Sequence, residues 1–203
     1  MNPNPFKRKS RGISMIEVLV TLIILSIGLL GLAGLQLTGL RSINSASQRT
    51  QAAVLIADIS ERMRANPTAV DNNLFMAVDS GVNIDCSAPP VPFCSEYFDA
   101  DTDAVIAAAN CNSTQLATFD INTWYCGIPL VAAGTPVGGV QSILPQPTAT
   151  ITCIDTDPPS GVDGDACTDD SAHTITLSWN ELNPDRTGAA GTVAQSVSVT
   201  IQP

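Results

Sequence analysis

From Val18 to Leu35 the chain carries no charge and few polar side chains. Val18, Leu19, Leu22, Ile23, Ile24, Leu25, Ile27, Leu29, Leu30 and Leu32 point to every side of a helix, where a soluble helix would keep one stripe apolar. A bilayer needs about 20 such residues at 1.5 Å per residue, so this run is able to span one. Lys7, Arg8, Lys9 and Arg11 precede it, which puts the N-terminus in the cytoplasm and the remainder across the membrane. A secretory signal ends in small residues after its apolar core, and no such site follows here. The small residue at the composition boundary is Gly12, before the run. A cut there removes a basic leader, residues 1–12, and keeps the apolar helix.

The helix is expected to continue to Asn66. Residues 13–40 form the apolar half and residues 41–66 an amphipathic one. Ala52, Leu55, Ile56, Ile59 and Met63 recur at three- and four-residue spacing and make a single stripe. Asp58 and Arg62 lie four apart and pair on the exposed side. Pro67 ends the helix. Such a rod is roughly 80 Å long, more than a small soluble domain requires. Gly28, Gly31, Gly34 and Gly39 each weaken the helix by about 1 kcal/mol against Ala. They suit either close packing between membrane helices or a segment that extends on leaving lipid.

Charge is distributed unevenly. The chain has nine basic and nineteen acidic residues, net −10. Only Arg186 among the basic residues lies beyond Arg64. Loss of the four leader cations leaves five basic against nineteen acidic residues, or −14. An acidic, Lys-free remainder has nothing to neutralise phosphates, so direct nucleic-acid binding is not expected. All six cysteines, Cys86, Cys94, Cys111, Cys126, Cys153 and Cys167, lie in this remainder. An even count in an exported domain reads as three disulfides in an oxidising compartment. Six cysteines allow fifteen connectivities. Pairing of neighbours (86–94, 111–126, 153–167) is favoured because each bond staples one loop-rich patch.

Residues 67–203 read as a globular head. Between 67 and 147 periodicity is weak. Asp103–Asn110 suits a short helix with an acidic start, and Trp124 and Tyr125 supply core mass. His173, Ile175, Leu177 and Trp179 alternate with hydroxyl residues, as do Val193, Val197, Val199 and Ile201. Two half-buried strands follow, with Thr150–Ile154 as a third. The fold class is therefore α+β: a long N-terminal helix packed on a small antiparallel sheet, supplemented by disulfides.

No site for catalysis emerges, and no cofactor is expected. The chain has one histidine, His173, at the inward phase of a strand, and no C-x-x-C pair, phosphate loop or nucleophile elbow. Asp99, Asp101 and Asp103 match the opening of a calcium loop. Ala104 stands where that loop needs glycine and Asn110 where it needs glutamate, so no metal is assigned. Asp155, Asp157, Asp163, Asp165, Asp169 and Asp170 form a second acidic cluster, expected to be solvated turns.

The junction Arg11-Gly12-Ile13-Ser14-Met15-Ile16-Glu17 resembles the leader of type IV prepilins and pseudopilins. In that family a membrane peptidase cuts after the glycine and methylates the new N-terminus. The resemblance makes Gly12 the last leader residue and Ile13 the methylated N-terminus. Ile13 stands where many members have Phe. Glu17 becomes the acid that pairs with a neighbour's N-terminus and sets subunit register. A carboxylate in hydrocarbon costs several kcal/mol unless paired, and the amine freed at Ile13 is such a partner. The run Leu25–Arg41 and the octet Ser60-Glu61-Arg62-Met63-Arg64-Ala65-Asn66-Pro67 resemble the minor pilins.

The implied function is a structural subunit that helps prime or modify pilus assembly, supporting adhesion and twitching motility. The implied partners are other minor pilins, the major pilin, the prepilin peptidase and methylase, the inner-membrane assembly platform and lipid. The subunit would be a single-pass inner-membrane protein with its head in the periplasm, then part of the pilus at the cell surface. A type II secretion pseudopilin and a pilus-tip adhesin are the alternatives.

Overall fold

The computed structural model describes residues 12, 14–78, 84–87, 90–99, 103–129, 136–154, 167, 171–182 and 191–203. Its contacts divide the chain into two units, Met1–Asn44 and Ser45–Pro203.

Helix α1 runs from Met15 to Ala65 without interruption, passing through all four glycines. In the first unit its side chains are exposed on every side, and it is long and apolar enough to cross a membrane. Three hydroxyls in this stretch are bonded within the helix: Thr21 Oγ1 donates to Val18 O (2.9 Å), Ser26 Oγ to Leu22 O (2.7 Å) and Thr38 Oγ1 to Gly34 O (3.1 Å). In lipid no water would satisfy them, so back-bonding suits that solvent.

In the second unit α1 carries its apolar stripe inward. Ala52, Leu55, Ile56, Ile59 and Met63 are all buried. Asn66 breaks the helix, and Pro67 serves as the first residue of a new short helix, α2 (Pro67–Asp71). Proline suits that position because its missing N–H has no helical partner there. The chain then makes a 3-10 turn, Leu74–Ala77, which sends Phe75 and Val78 into the core.

The region expected to be irregular contains a helix, α3 (Ser113–Cys126). A capping box opens it. Gln115 N donates to Asn112 Oδ1 (2.9 Å), and Asn112 N donates to Gln115 Oε1 (3.0 Å). Ala117, Ile121 and Trp124 fall on its buried side. The expected helix at Asp103–Asn110 is absent. Ala104–Ile106 is instead strand β2, antiparallel to β1 (Tyr97–Asp99), and Asp103 turns the chain with φ of 50°. The six apolar residues 104–109 fall well short of the roughly 12–15 residues an isolated helix needs in water, whereas a cross-strand partner is at hand.

A small pair, β3 (Ile128–Pro129) with β4 (Pro136–Val137), leads to the short helix α4 (Val140–Ile143). Gly139, at φ of +77°, precedes α4, and a Cβ there would strike the backbone of Cys126 and Gly127. The main sheet is three-stranded in the order β5-β6-β7: Thr148–Ile154, Ala172–Leu182 and Thr192–Ile201. Both ladders are antiparallel and unbroken. Ile151, Ile175, Leu177 and Trp179 face one core together with the α1 stripe, Phe75 and Trp124. His173 is buried as well, with Nδ1 2.9 Å from Ser171 O.

Three disulfides close the second unit: Cys86–Cys126, Cys94–Cys111 and Cys153–Cys167. Neighbour pairing thus holds for the last bond and is corrected for the other two. Helix α3 is the reason. It begins just after Cys111 and ends at Cys126, so its length separates those two cysteines. Each reaches back along the chain instead, Cys111 to Cys94 just before β1 and Cys126 to Cys86 further upstream. Loops of 40, 17 and 14 residues correspond to roughly 3–4 kcal/mol each in the chain-entropy account.

Candidate assembly site

The residues expected to act are found at the start of α1. Gly12 and Ser14 are exposed, and open space surrounds the position of a Cβ at Gly12. Ser14 O accepts from Glu17 N (3.0 Å) and Val18 N (3.3 Å), so the helix begins at once after the junction. Glu17 therefore stands in the first turn, where the helix dipole favours an acid. Among the described residues no cation meets its carboxylate. Ile13, the expected mature N-terminus, and the leader cations Lys7, Arg8, Lys9 and Arg11 lie outside the described residues. From Met15 to Leu40 the helix presents Ile16, Leu19, Leu22, Ile23, Leu30 and Leu35 uncovered. The glycines keep space open beside them, with nothing within 4 Å of any Cβ position at Gly28, Gly31, Gly34 or Gly39.

A second constellation is only half legible from spacing. Arg62 does pair with Asp58, with Nε 3.2 Å from both carboxylate oxygens. It also reaches across to α3. Arg62 Nη1 donates to Asp120 Oδ1 (3.1 Å) and Thr123 Oγ1 (3.0 Å). Asp120 is 8 % exposed. Burial pushes its carboxyl above the usual range, against the pull of the Arg62 cation. Next to it, Asn66 Nδ2 donates to Ser113 O (2.8 Å) and Ser113 Oγ donates to Asn66 Oδ1 (2.6 Å). Trp124, 1 % exposed, donates Nε1–H to Leu55 O (2.8 Å). The octet Ser60–Pro67 is thus a clasp that locks the end of α1 to α3. Ser60 and Met63 fill the core, and Arg62 and Asn66 make the polar bonds.

The other end of the amphipathic half is tied to the main sheet. Trp179 Nε1 lies 3.2 Å from Gln48 Oε1 and from Glu181 Oε1, Ser45 Oγ donates to Glu181 Oε1 (3.2 Å), and Arg49 Nη2 donates to Gln195 Oε1 (2.7 Å). Ser45, Gln48 and Arg49 lie 131 to 146 residues from the sheet residues they meet, and nothing in local spacing announces those partners.

Among the described residues no three of His, Cys, Asp and Glu converge to hold a metal ion. Asp103 is an exposed turn residue, while Asp101 and the side chain of Asp99 lie outside the described residues, as do Asp155, Asp157, Asp163, Asp165, Asp169 and Asp170.

Residues 34–122 match the family described as Type IV pilin Tt1218, and residues 7–33 match the prokaryotic N-terminal methylation motif. No curated protein and no solved structure matches the chain. The two family matches, with the long apolar N-terminal helix, small antiparallel sheets and three disulfides, fit an α+β fold of the type IV pilin kind.

Proposed function

Starting from a chain with the sequence marks and fold of a type IV pilin, we propose that it is a minor pilin of the pilus-modification type, the PilV-like subunits. It primes or modifies pilus assembly and through assembly supports adhesion and twitching motility. The observation that carries this reading is the octet Ser60–Pro67, which resembles the minor pilins and in this fold forms the clasp between α1 and α3. A pilin is a structural subunit, and no catalytic step is assigned to it.

In this reading residues 1–12 are a leader. The peptidase cuts after Gly12, and Ile13 becomes the methylated N-terminus. The open, exposed backbone at Gly12 supports the assignment, because a peptidase must reach an extended, uncrowded peptide. Residues 13–40 anchor the subunit in the inner membrane and later line the filament. Residues 41–66 support the head, residues 67–203, in the periplasm and then on the pilus surface. Glu17 pairs with the free N-terminus of the next subunit and sets axial register. The partners are the major pilin, other minor pilins, the peptidase and methylase, the assembly platform and lipid.

Mass spectrometry of sheared surface pili tests the proposal. The expected result is a peptide beginning at N-methylated Ile13, at an abundance far below that of the major subunit. The same peptide confined to the inner membrane would assign the chain to a secretion pseudopilus, and a retained leader would overturn the cleavage site. Gly12→Val is expected to block leader removal.

A further inference from the structure

The main sheet turns one face to the core and carries a grid of hydroxyls on the other. Strands β5, β6 and β7 each place Thr or Ser at three alternate positions, and the register sets these positions side by side. One row runs Thr152, Thr174, Thr200, and the next Thr150, Thr176, Ser198. A third runs Thr148, Ser178, Ser196. The intervening Ile151, Ile175 and Leu177 are buried with the α1 stripe, so the rows face away from it. The ends of the rows are exposed except for Thr150, which is half-buried like the β6 positions between them.

Threonine is ordinary on a solvated strand, because a β-branched side chain fits the pleat. That preference does not require the absence of charge. On this phase the three strands carry no charged and no aromatic residue, although the chain has nineteen acids. The acid of the three strands, Glu181, stands on the opposite phase, where Ser45 and Trp179 bond it. A neutral face on an acidic protein complements an uncharged ligand, whereas the protein's own field repels polyanions.

The hydroxyls are also paired. Thr174 Oγ1 lies 3.0 Å from Thr200 Oγ1, and Thr176 Oγ1 lies 2.8 Å from Ser198 Oγ. A hydroxyl brings one hydrogen and two lone pairs, so each pair keeps one hydrogen and three lone pairs for a ligand. The two oxygens of a gauche vicinal diol stand at nearly the same separation. Such a diol donates to one oxygen of the pair and accepts from the other, closing a ring of four hydroxyls that polarise one another. The two pairs repeat about 7 Å apart along the strands. We propose that this face binds neutral polysaccharide through its vicinal diols. A single sugar only exchanges hydrogen bonds with water for equivalent ones and is held weakly. A polymer engages successive rows, and successive copies where the protein is clustered. Binding needs the folded second unit and no step of pilus assembly.

Full-length protein in a detergent without sugar headgroups, captured densely on a sensor surface, tests this. Dextran and a neutral mannan are the probes. At least one is expected to bind ten times or more above the same polymer after periodate cleavage and borohydride reduction, which open its vicinal diols and leave it uncharged. This comparison uses the unsubstituted chain and is free of folding defects. Combining Thr174→Val, Thr176→Val, Ser198→Ala and Thr200→Val is expected to cut binding at least tenfold with the three native disulfides intact, since valine keeps the β-branch. Thr174→Ser with Thr200→Ser, which keeps the hydroxyls, is expected to retain it. Binding of neither polymer, equal binding of the cleaved polymer, stronger binding of dextran sulfate than of dextran, or undiminished binding by the valine variant would each overturn the proposal. A retained leader or absence from pili would overturn the assembly reading and leave these results unchanged.

Discussion

Arg62 is the side chain on which most of the helix-to-head junction turns. One guanidinium serves Asp58 on its own helix and Asp120 and Thr123 on α3. The exposed pair with Asp58 contributes a few tenths of a kcal/mol. The bond to Asp120 matters more, because an unpaired carboxylate would be left in a nearly closed site. Arg62→Ala is expected to lower stability by about 2 kcal/mol at neutral pH, the scale of a charge-assisted hydrogen bond. At acid pH the loss shrinks, because a protonated Asp120 needs no cation. The wild type carries a weaker form of the same signature. Asp120 binds its proton more tightly folded than unfolded. Its contribution is therefore full below the ordinary carboxylate value of 3.8 and is lost as pH rises through its own raised value. Asp85 behaves oppositely: hydrogen bonds from Ser87 lower its value, and its contribution is lost as pH falls. Comparing wild type with Asp120→Asn in denaturant unfolding cancels Asp85. The difference should move in favour of the Asn variant as pH rises through that window. A difference flat with pH would mean that Asp120 is not held above its usual range.

Elements whose periodicity is self-contained were legible in the residues. The stripe Ala52–Met63 identified the buried side of α1, and alternation in His173–Trp179 and Val193–Ile201 identified two strands of the main sheet. Elements that depend on distant partners were not. Helix α3 mixes its apolar positions with Thr114, Thr118, Asp120, Asn122 and Thr123, poor interior helix formers whose burial is justified only by α1. Its one local mark was the Asn112…Gln115 pair, a capping box outside the usual Ser or Thr form. The apolar run 104–109 is too short for periodicity to separate helix from strand, and pairing of its first half, Ala104–Ile106, with Tyr97–Asp99 decided its state. The cysteine pairing followed from α3 and was hidden with it. If the capping box is what starts α3, Asn112→Ala should cost about 1 kcal/mol and Asn112→Gly only a few tenths. Thermal unfolding of both variants measures this. Equal losses would show that the asparagine is needed for something other than its cap.

Across the whole molecule, two solvents are written into one chain. The second unit closes a core around two tryptophans and adds three covalent bonds, as suits a small exported domain. The first unit leaves an apolar helix uncovered on all sides, with its few hydroxyls bonded internally. Glu17 is the exception in that stretch, an acid one step before the run that lipid would cover. Its cost in hydrocarbon makes it selective: it is tolerable where a cation waits, and in the proposed reading that cation is the amine freed at a neighbour's N-terminus. If the peptidase acts at Gly12 as proposed, removing the carboxylate should disturb neither that cut nor the second unit, whose core lies beyond Ser45. It should disturb only the step at which one helix is set against another. Glu17→Ala is expected to be cleaved and membrane-inserted at wild-type levels but to fall at least tenfold in sheared pili, the equivalent of about 1.4 kcal/mol of lost pairing. Quantitative immunoblotting of membrane and pilus fractions reads both numbers. Equal incorporation of the variant would remove the register role from Glu17 and leave it as an acid resting among headgroups.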